Sequence, residues 1–329
     1  MRLRFPMKHI NLRFIFIAFL VVLFATSLAQ SQQNGPGSNA SYFSRSPAPS
    51  PWLALAAADW MARLPDSAPL HKMSIPGTHD SAALHGGLFV QTQSWSITEQ
   101  LNAGVRYLDI RTRRTTGQGI HALAIHHGIV FQQIWFDQIM NEVTAFLQRH
   151  PEEVIIMRVK GDEFSPKRHS KSYAEIWPAY LAAYGEYFAN VDDPLPTLGE
   201  LRGKIYIVND GADLFHQGTN WQNSEMILQD YYTVWGLWFR LLKGHHASLV
   251  SKKAIVNLFM DMAGARDNGK WVFNHLSGSG GMVPRDVAKA VNKSAFQHIQ
   301  KASRERTFGT VIMDFPGENL IYDIINSNF

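Results

Sequence analysis

The chain has 329 residues, 46% of them hydrophobic, and no cysteine. That composition supports a large core and excludes disulfides, zinc–thiolate sites and a cysteine nucleophile. The formal charge of +4 misleads, because Arg2, Arg4, Lys8 and Arg13 fall in the first 29 residues; without them 27 basic residues face 27 acidic ones, and no basic footprint for nucleic acid remains.

In chain order, the basic opening MRLRFPMKHINLR leads into the apolar run FIFIAFLVVLFA (14–25) and then TSLAQ, where Ser27 and Ala29 suit the −3 and −1 positions of a cleavage site. This is the pattern of a secretory signal peptide over 1–29; the apolar run is shorter than the about 17–25 residues of a bilayer span. Export to the periplasm or the medium is therefore expected. Residues 30–50, rich in Ser, Pro and Gly, read as a flexible linker. From residue 51 to 329 no second linker interrupts the chain, so one domain is expected.

Within that domain LALAAADWMARL (53–64) reads as helix. Strands are expected at KMSI (72–75), VRYLDIRT (105–112), HALAIHH (121–127), EVIIMRV (153–159), GKIYIVN (203–209), AIVNLFM (254–260) and TVIMDF (310–315). Several are continuous and β-branched, as in strands buried on both faces. Helices are expected at 135–151, where Pro151 is the stop, and at 283–303. Strands alternating with helices predict an α/β fold with a mostly parallel sheet, and the length suits a (β/α) barrel.

The polar clusters fall at the ends of these runs, where barrel enzymes carry their chemistry: His79 and Asp80, Asp109 and Arg111, His126 and His127, Lys160 with Asp162 and Glu163, and Asp314. Two imidazoles can divide base and acid work near neutral pH if carboxylates orient them. A fixed cation at Arg111 beside them suits an anionic phosphodiester; the alternative is that Arg111 only pairs with Asp109 to hold a loop. A metal held by His79, Asp80, Asp109, His121, His126 and His127 would have Arg111 in its own pocket, and no HExxH pattern occurs. No metal and no cofactor are therefore expected. LSGSGG (276–281) lacks the Lys-Ser/Thr ending of a P-loop. YYTVWGLWF (231–239) reads as core, or as a rim in which Trp235, Trp238 and Phe239 meet lipid. His85 reads as an ordinary surface residue.

SIPGTHDS (74–81), YLDIRTR (107–113), IHHG (125–128) and VIIMRVKG (154–161), in this order and spacing, resemble the X domain of bacterial phosphatidylinositol-specific phospholipase C. LRGKIYIVN (201–209), LQDYY (228–232), FNHLSGSGG (273–281) and GTVIMDFPG (309–317) resemble the later part of the same enzymes, so the likeness runs over roughly 70–320.

The resemblance implies a distorted, partly open TIM barrel and a metal-independent lyase reaction that yields a cyclic inositol phosphate and diacylglycerol at a phospholipid membrane surface. It implies His79 as general base oriented by Asp314. It implies His127 as general acid, aided by Asp80 and held by Asp109, with Arg111 on the phosphate. Lys160, Asp230 and Tyr232 match positions that contact inositol. Asn209 stands where those enzymes have an inositol-contacting arginine, which leaves open another glycerophospholipid, or a glycosylphosphatidylinositol, as substrate. A lipid-head-group binding protein without turnover is the reading from another class. No obligate protein partner is evident.

Overall fold

The computed structural model describes residues 42–45, 49–50, 53, 57–162, 171–211, 218–234, 248–265, 269–302 and 306–329. The leader, most of the linker, Glu163, and the aromatics Trp235, Trp238 and Phe239 lie outside the described residues.

One ten-stranded sheet organises the chain. Its strands are β1 (Ile75–Thr78), β2 (Tyr107–Arg114), β3 (Leu123–His127), β4 (Val130–Trp135), β5 (Ile155–Gly161), β6 (Ile205–Asp210), β7 (Thr219–Asn220), β8 (Met226–Gln229), β9 (Trp271–His275) and β10 (Thr310–Met313). The helices are α1 (Ile97–Asn102), α2 (Phe136–Arg149), α3 (Tyr173–Tyr184), α4 (Leu198–Leu201), α5 (Leu249–Ala263), α6 (Pro284–Lys301) and α7 (Glu318–Asn326). Eight strands run parallel in the order β7-β6-β5-β2-β1-β10-β9-β8. Among the described residues the edges β7 and β8 are not paired with each other, and the curled sheet is a distorted, partly open barrel.

Aromatic contacts show which face is interior. Tyr107 on β2 meets Phe273 on β9 with ring centroids 5.6 Å apart, and Tyr206 on β6 stacks on Trp271 of β9 at 6.2 Å. These strands are not neighbours, so the contacts cross the inside of the barrel. Side chains alternate along a strand. Asp109 and Arg111 therefore share the inner face with Tyr107, Asp210 with Tyr206, and His275 with Phe273.

Three expectations change. AIVNLFM is not a strand but part of α5, whose buried residues Lys252, Val256, Met260 and Ala263 recur at helical spacing behind the N-cap Ser248. Seven apolar residues cannot by themselves separate the two periods. HALAIHH does form β3, but β3 and β4 make an antiparallel hairpin off β2 rather than a further parallel strand. The KMSI strand begins only at Ile75 and runs through Pro76 and Gly77, because Leu70–Lys72 is a 3₁₀ turn. Strands β4, β7, β8 and β9 were not anticipated as strands.

Gly77 lies opposite Tyr107 across the β1–β2 pair. A Cβ there would stand 2.9 Å from both Cβ and Cδ1 of the tyrosine. The ring is fully buried and cannot yield without opening the barrel interior. Gly77→Ala is expected to lower stability by about 1–3 kcal/mol through overpacking, read as a reduced denaturation midpoint with an unchanged m-value.

Candidate active site

The first strand delivers His79 directly. Its backbone N–H donates to the Met313 carbonyl at 2.9 Å, continuing the β1–β10 ladder. The chain then turns sharply at Asp80, which has φ of +43°, a left-handed conformation that Asp tolerates better than most residues. The turn is tied to β2 from both sides: Ser81 N–H donates to the Asp109 carbonyl, and Asp109 N–H donates to Ser81 Oγ, each at 2.8 Å. Gln100 of α1 accepts from Thr78 Oγ1 at 2.6 Å and donates to the Ser81 carbonyl at 2.7 Å. Gln93 donates to the carbonyls of His79 and Met313 at 2.8 and 3.0 Å, clamping the ends of β1 and β10 together.

That clamp sets up a dyad. His79 Nδ1 lies 2.9 Å from Asp314 Oδ1, and Arg111 Nη2 donates to His79 Nε2 at 2.6 Å. A guanidinium has only donors, so Nε2 carries the lone pair and Nδ1 carries the proton directed at Asp314. Burial first and Arg111 second hold the imidazole well below its ordinary pKa, which favours its neutral form. Burial, and then Asp80, push Asp314 well up.

Arg111 is shared. Besides His79 it reaches Asp109 Oδ2 at 3.2 Å and Asp80 Oδ2 at 3.4 Å. His127, at the end of β3, closes the other side: its ring meets the His79 ring edge-on at 6.4 Å between centroids. His127 Nδ1 donates to the Val90 carbonyl at 2.7 Å and faces Asp80 Oδ2 at 3.3 Å. Asp80, almost wholly dry, has its carboxyl pushed up to about 6, chiefly by burial.

Such a cluster, an oriented neutral imidazole and a second imidazole flanking a fixed cation, can take a proton, give a proton and bind an oxyanion. Residues 66–210 match the family model of the phosphatidylinositol-specific phospholipase C X domain. A 1-phosphatidylinositol phosphodiesterase of Listeria monocytogenes is 29% identical over 82% of this chain and 84% of its own length. One from Staphylococcus aureus is 26% identical over 82% of this chain and 94% of its own. The solved phosphatidylinositol-specific phospholipase C from Listeria monocytogenes superposes with a TM-score of 0.71 at 28% identity, covering 83% of this chain and 98% of the other.

Residues 66–210 carry the phosphatidylinositol-specific phospholipase C X domain, and most of the chain is similar to the bacterial enzymes of that family.

Of the residues that the family pattern singles out, His79, Asp80, Asp109, Arg111, His127 and Asp314 come together in one cluster. Two expectations within the pattern need correction. Asp109 does not hold His127; it bonds Arg111, Arg158 and the Asp80 amide, and the Val90 carbonyl holds His127 instead. Asn209 does not face the pocket. It alternates with Asp210, whose carboxylate bonds the inward Arg158, so Asn209 belongs to the outer face of β6. Lys160 lies two residues beyond Arg158 on the inner face of β5, Asp230 follows β8, and Tyr232 is 60% exposed at the rim.

Two histidines weighed as metal ligands point elsewhere: His121 pairs with Asp137 at 3.2 Å and His126 packs on Phe131. Among the described residues no group of three or more His, Asp or Glu is arranged to hold a metal. LSGSGG is stitched to the neighbouring segment, with Ser279 N–H donating to the Tyr232 carbonyl at 2.7 Å.

Sequence reasoning missed several supports. Arg158 is only 2% exposed, and a charge inside the apolar run VIIMRV was a usable signal, since a buried cation requires partners. His275 is 1% exposed, with its ring 5.7 Å from that of His79. Lys252 of α5, fully buried, donates to the carbonyls of Tyr231 and His275 at 2.7 and 2.6 Å and ties the ends of β8 and β9 together; burial pushes its ammonium down to about 7.

The raised pKa of Asp80 is a stability statement. Between the ordinary carboxyl value and about 6 the folded chain holds a proton that the unfolded chain has lost, so stability falls as pH rises through that window. Asp80→Asn is expected to raise stability at pH 8 by about 2–3 kcal/mol and to lose that advantage by pH 4. Urea denaturation at the two pH values checks it; equal midpoints at pH 8 would contradict the burial argument.

Proposed function

We propose that this protein is a phospholipase C that cleaves phosphatidylinositol, or a closely related inositol phospholipid, to a cyclic inositol phosphate and diacylglycerol without a metal ion. The observation that carries the reading is Arg111 bonded to the lone pair of His79 and flanked by His127. The names and extent of its relatives, 1-phosphatidylinositol phosphodiesterases matching most of the chain, support it.

In this mechanism the substrate phosphate takes the guanidinium of Arg111, which frees His79 Nε2. His79 then accepts the proton of the inositol 2-hydroxyl, while Asp314 stabilises the imidazolium through Nδ1. The 2-oxygen attacks phosphorus as its bond to the diacylglycerol oxygen breaks. His127 donates its Nε2 proton to that departing oxygen. Its Nδ1 is engaged by the Val90 carbonyl and faced by Asp80, which holds the ring with Nε2 free to meet that oxygen. A nucleophile already on the substrate spares the entropy of recruiting water. Arg111 supplies the charge that a cation would otherwise provide as the phosphorane forms.

Lys160, Asp230 and Tyr232 are the proposed contacts to the head group, and the enzyme works at a lipid surface because its substrate resides there. We also propose export, on the strength of the 1–29 leader. Protein recovered outside the cytoplasm should begin at or near Gln30; recovery of the chain with its leader intact inside the cell would contradict this.

His79→Ala and His127→Ala are each expected to lower diacylglycerol release by about 1,000-fold or more while the circular dichroism spectrum is retained. In the same assay the wild-type protein should keep its rate in excess chelator, and phosphorus spectroscopy should show a cyclic phosphate. Normal turnover in either variant would refute the two-histidine scheme. A chelator-sensitive rate restored by calcium would refute the metal-free one.

A further inference from the structure

The inner face of β6 presents a carboxylate, Asp210, and the nearest inward cation comes from the adjacent strand. Arg158 and Asp109 are register partners on β5 and β2. Arg158 Nη1 donates to Asp109 Oδ1 at 3.3 Å, while Nε and Nη2 donate to Asp210 Oδ2 at 3.1 and 2.5 Å. The guanidinium carbon stands 3.9 Å from the centroid of the Trp221 ring. We propose that Arg158 is a positioning residue for Arg111, fixing the Asp109 carboxylate from behind so that its other oxygen holds the phosphate-binding guanidinium and the Asp80 turn.

The geometry of Asp109 carries this. Its Oδ2 alone receives both Arg111 Nη2, at 3.2 Å, and the Asp80 amide, at 3.1 Å. The rotation of the carboxylate is therefore set by what grips Oδ1, and Arg158 does so. Burial alone would raise Asp109, but Arg158 and then Arg111 outweigh it and hold the carboxyl well below the usual range. Arg158 has no spare charge to offer a substrate, since two carboxylates share it and its side chain is only 2% exposed. Its influence passes through Asp109, and a shift of about 1 Å at a catalytic group is enough to lower a rate by about 100-fold.

This inference rests on the proposed roles of Arg111 and His79, and the test separates the two. His79 is faced by Asp314 after β10, Arg111 and Asp109 of β2, His127 of β3, His275 of β9 and its neighbour Asp80. Losing Arg158 leaves the Asp109 charge less compensated, which favours imidazolium. The variant Arg158→Met/Asp210→Asn removes the outer link without stranding Asp210. Its kcat is expected to fall by about 100-fold with KM little changed. The titration of His79, followed by NMR and assigned against His79→Asn, should move up by about one pH unit, and the acid limb of kcat/KM should move with it.

Arg158→Lys keeps the charge but cannot grip both carboxylates; it should lower kcat by about 10-fold, less than the about 100-fold that a displacement of about 1 Å costs, and leave the titration in place. A double variant with wild-type kcat, or with lost activity and an unmoved imidazole, would overturn the proposal. If the double variant does not fold, Arg158→Lys decides alone: wild-type kcat there overturns it. If the wild-type protein releases no diacylglycerol, the functional reading fails separately, and the imidazole titration still tests Arg158.

Discussion

Everything at the mouth of this barrel depends on a balance between nearly dry charges. Asp80, Asp109 and Asp314 are at most 1% exposed, Arg158 is 2% exposed and Arg111 is 14% exposed. No such group survives burial alone. Arg111 is held by two carboxylates and an imidazole lone pair, and Asp109 by two guanidinium groups. The result is a cation fixed in place before any substrate arrives, which is the condition for electrostatic stabilisation without reorganisation.

The barrel makes that balance possible because each strand end supplies one participant. His79 leaves β1, Asp109 and Arg111 ride on β2, His127 ends the β3 hairpin, Arg158 lies on β5, and Asp314 follows β10. Neutral amides and carbonyls then fix these groups. Gln93 clamps β1 to β10, Gln100 ties the 78–81 turn to α1, and the Val90 carbonyl chooses the proton position on His127. The strain at Asp80, a non-glycine residue with φ of +43°, sits where the carboxylate must reach both Arg111 and His127. Its unfavourable burial fits a site that gives up stability for chemistry.

Most of the inner strands were readable as apolar, β-branched runs, and the charged residues after them marked the mouth of the barrel. The errors have physical sources. AIVNLFM was mistaken for a strand because its helical spacing emerges only over the full Leu249–Ala263 element. The β3–β4 hairpin escaped because an apolar run does not disclose the direction of its neighbour. Asn209 was expected in the pocket from the family resemblance, and resemblance does not show which face of a strand a residue takes, since adjacent residues point to opposite faces.

The sequence by itself determined the chemical inventory: two histidines, an arginine and three aspartates at strand ends, in the order of a known family, with no thiol to complicate them. Residue types and local spacing suffice for that, because both are properties of the chain. Only the tertiary structure decided who pairs with whom. Asp314 lies 235 residues from His79, Val90 takes the role expected of Asp109, and Arg158 enters as an unforeseen counter-ion. Pairing among buried charges is settled by distance, desolvation and the inward or outward face of each strand, and those quantities exist only once the sheet has curled.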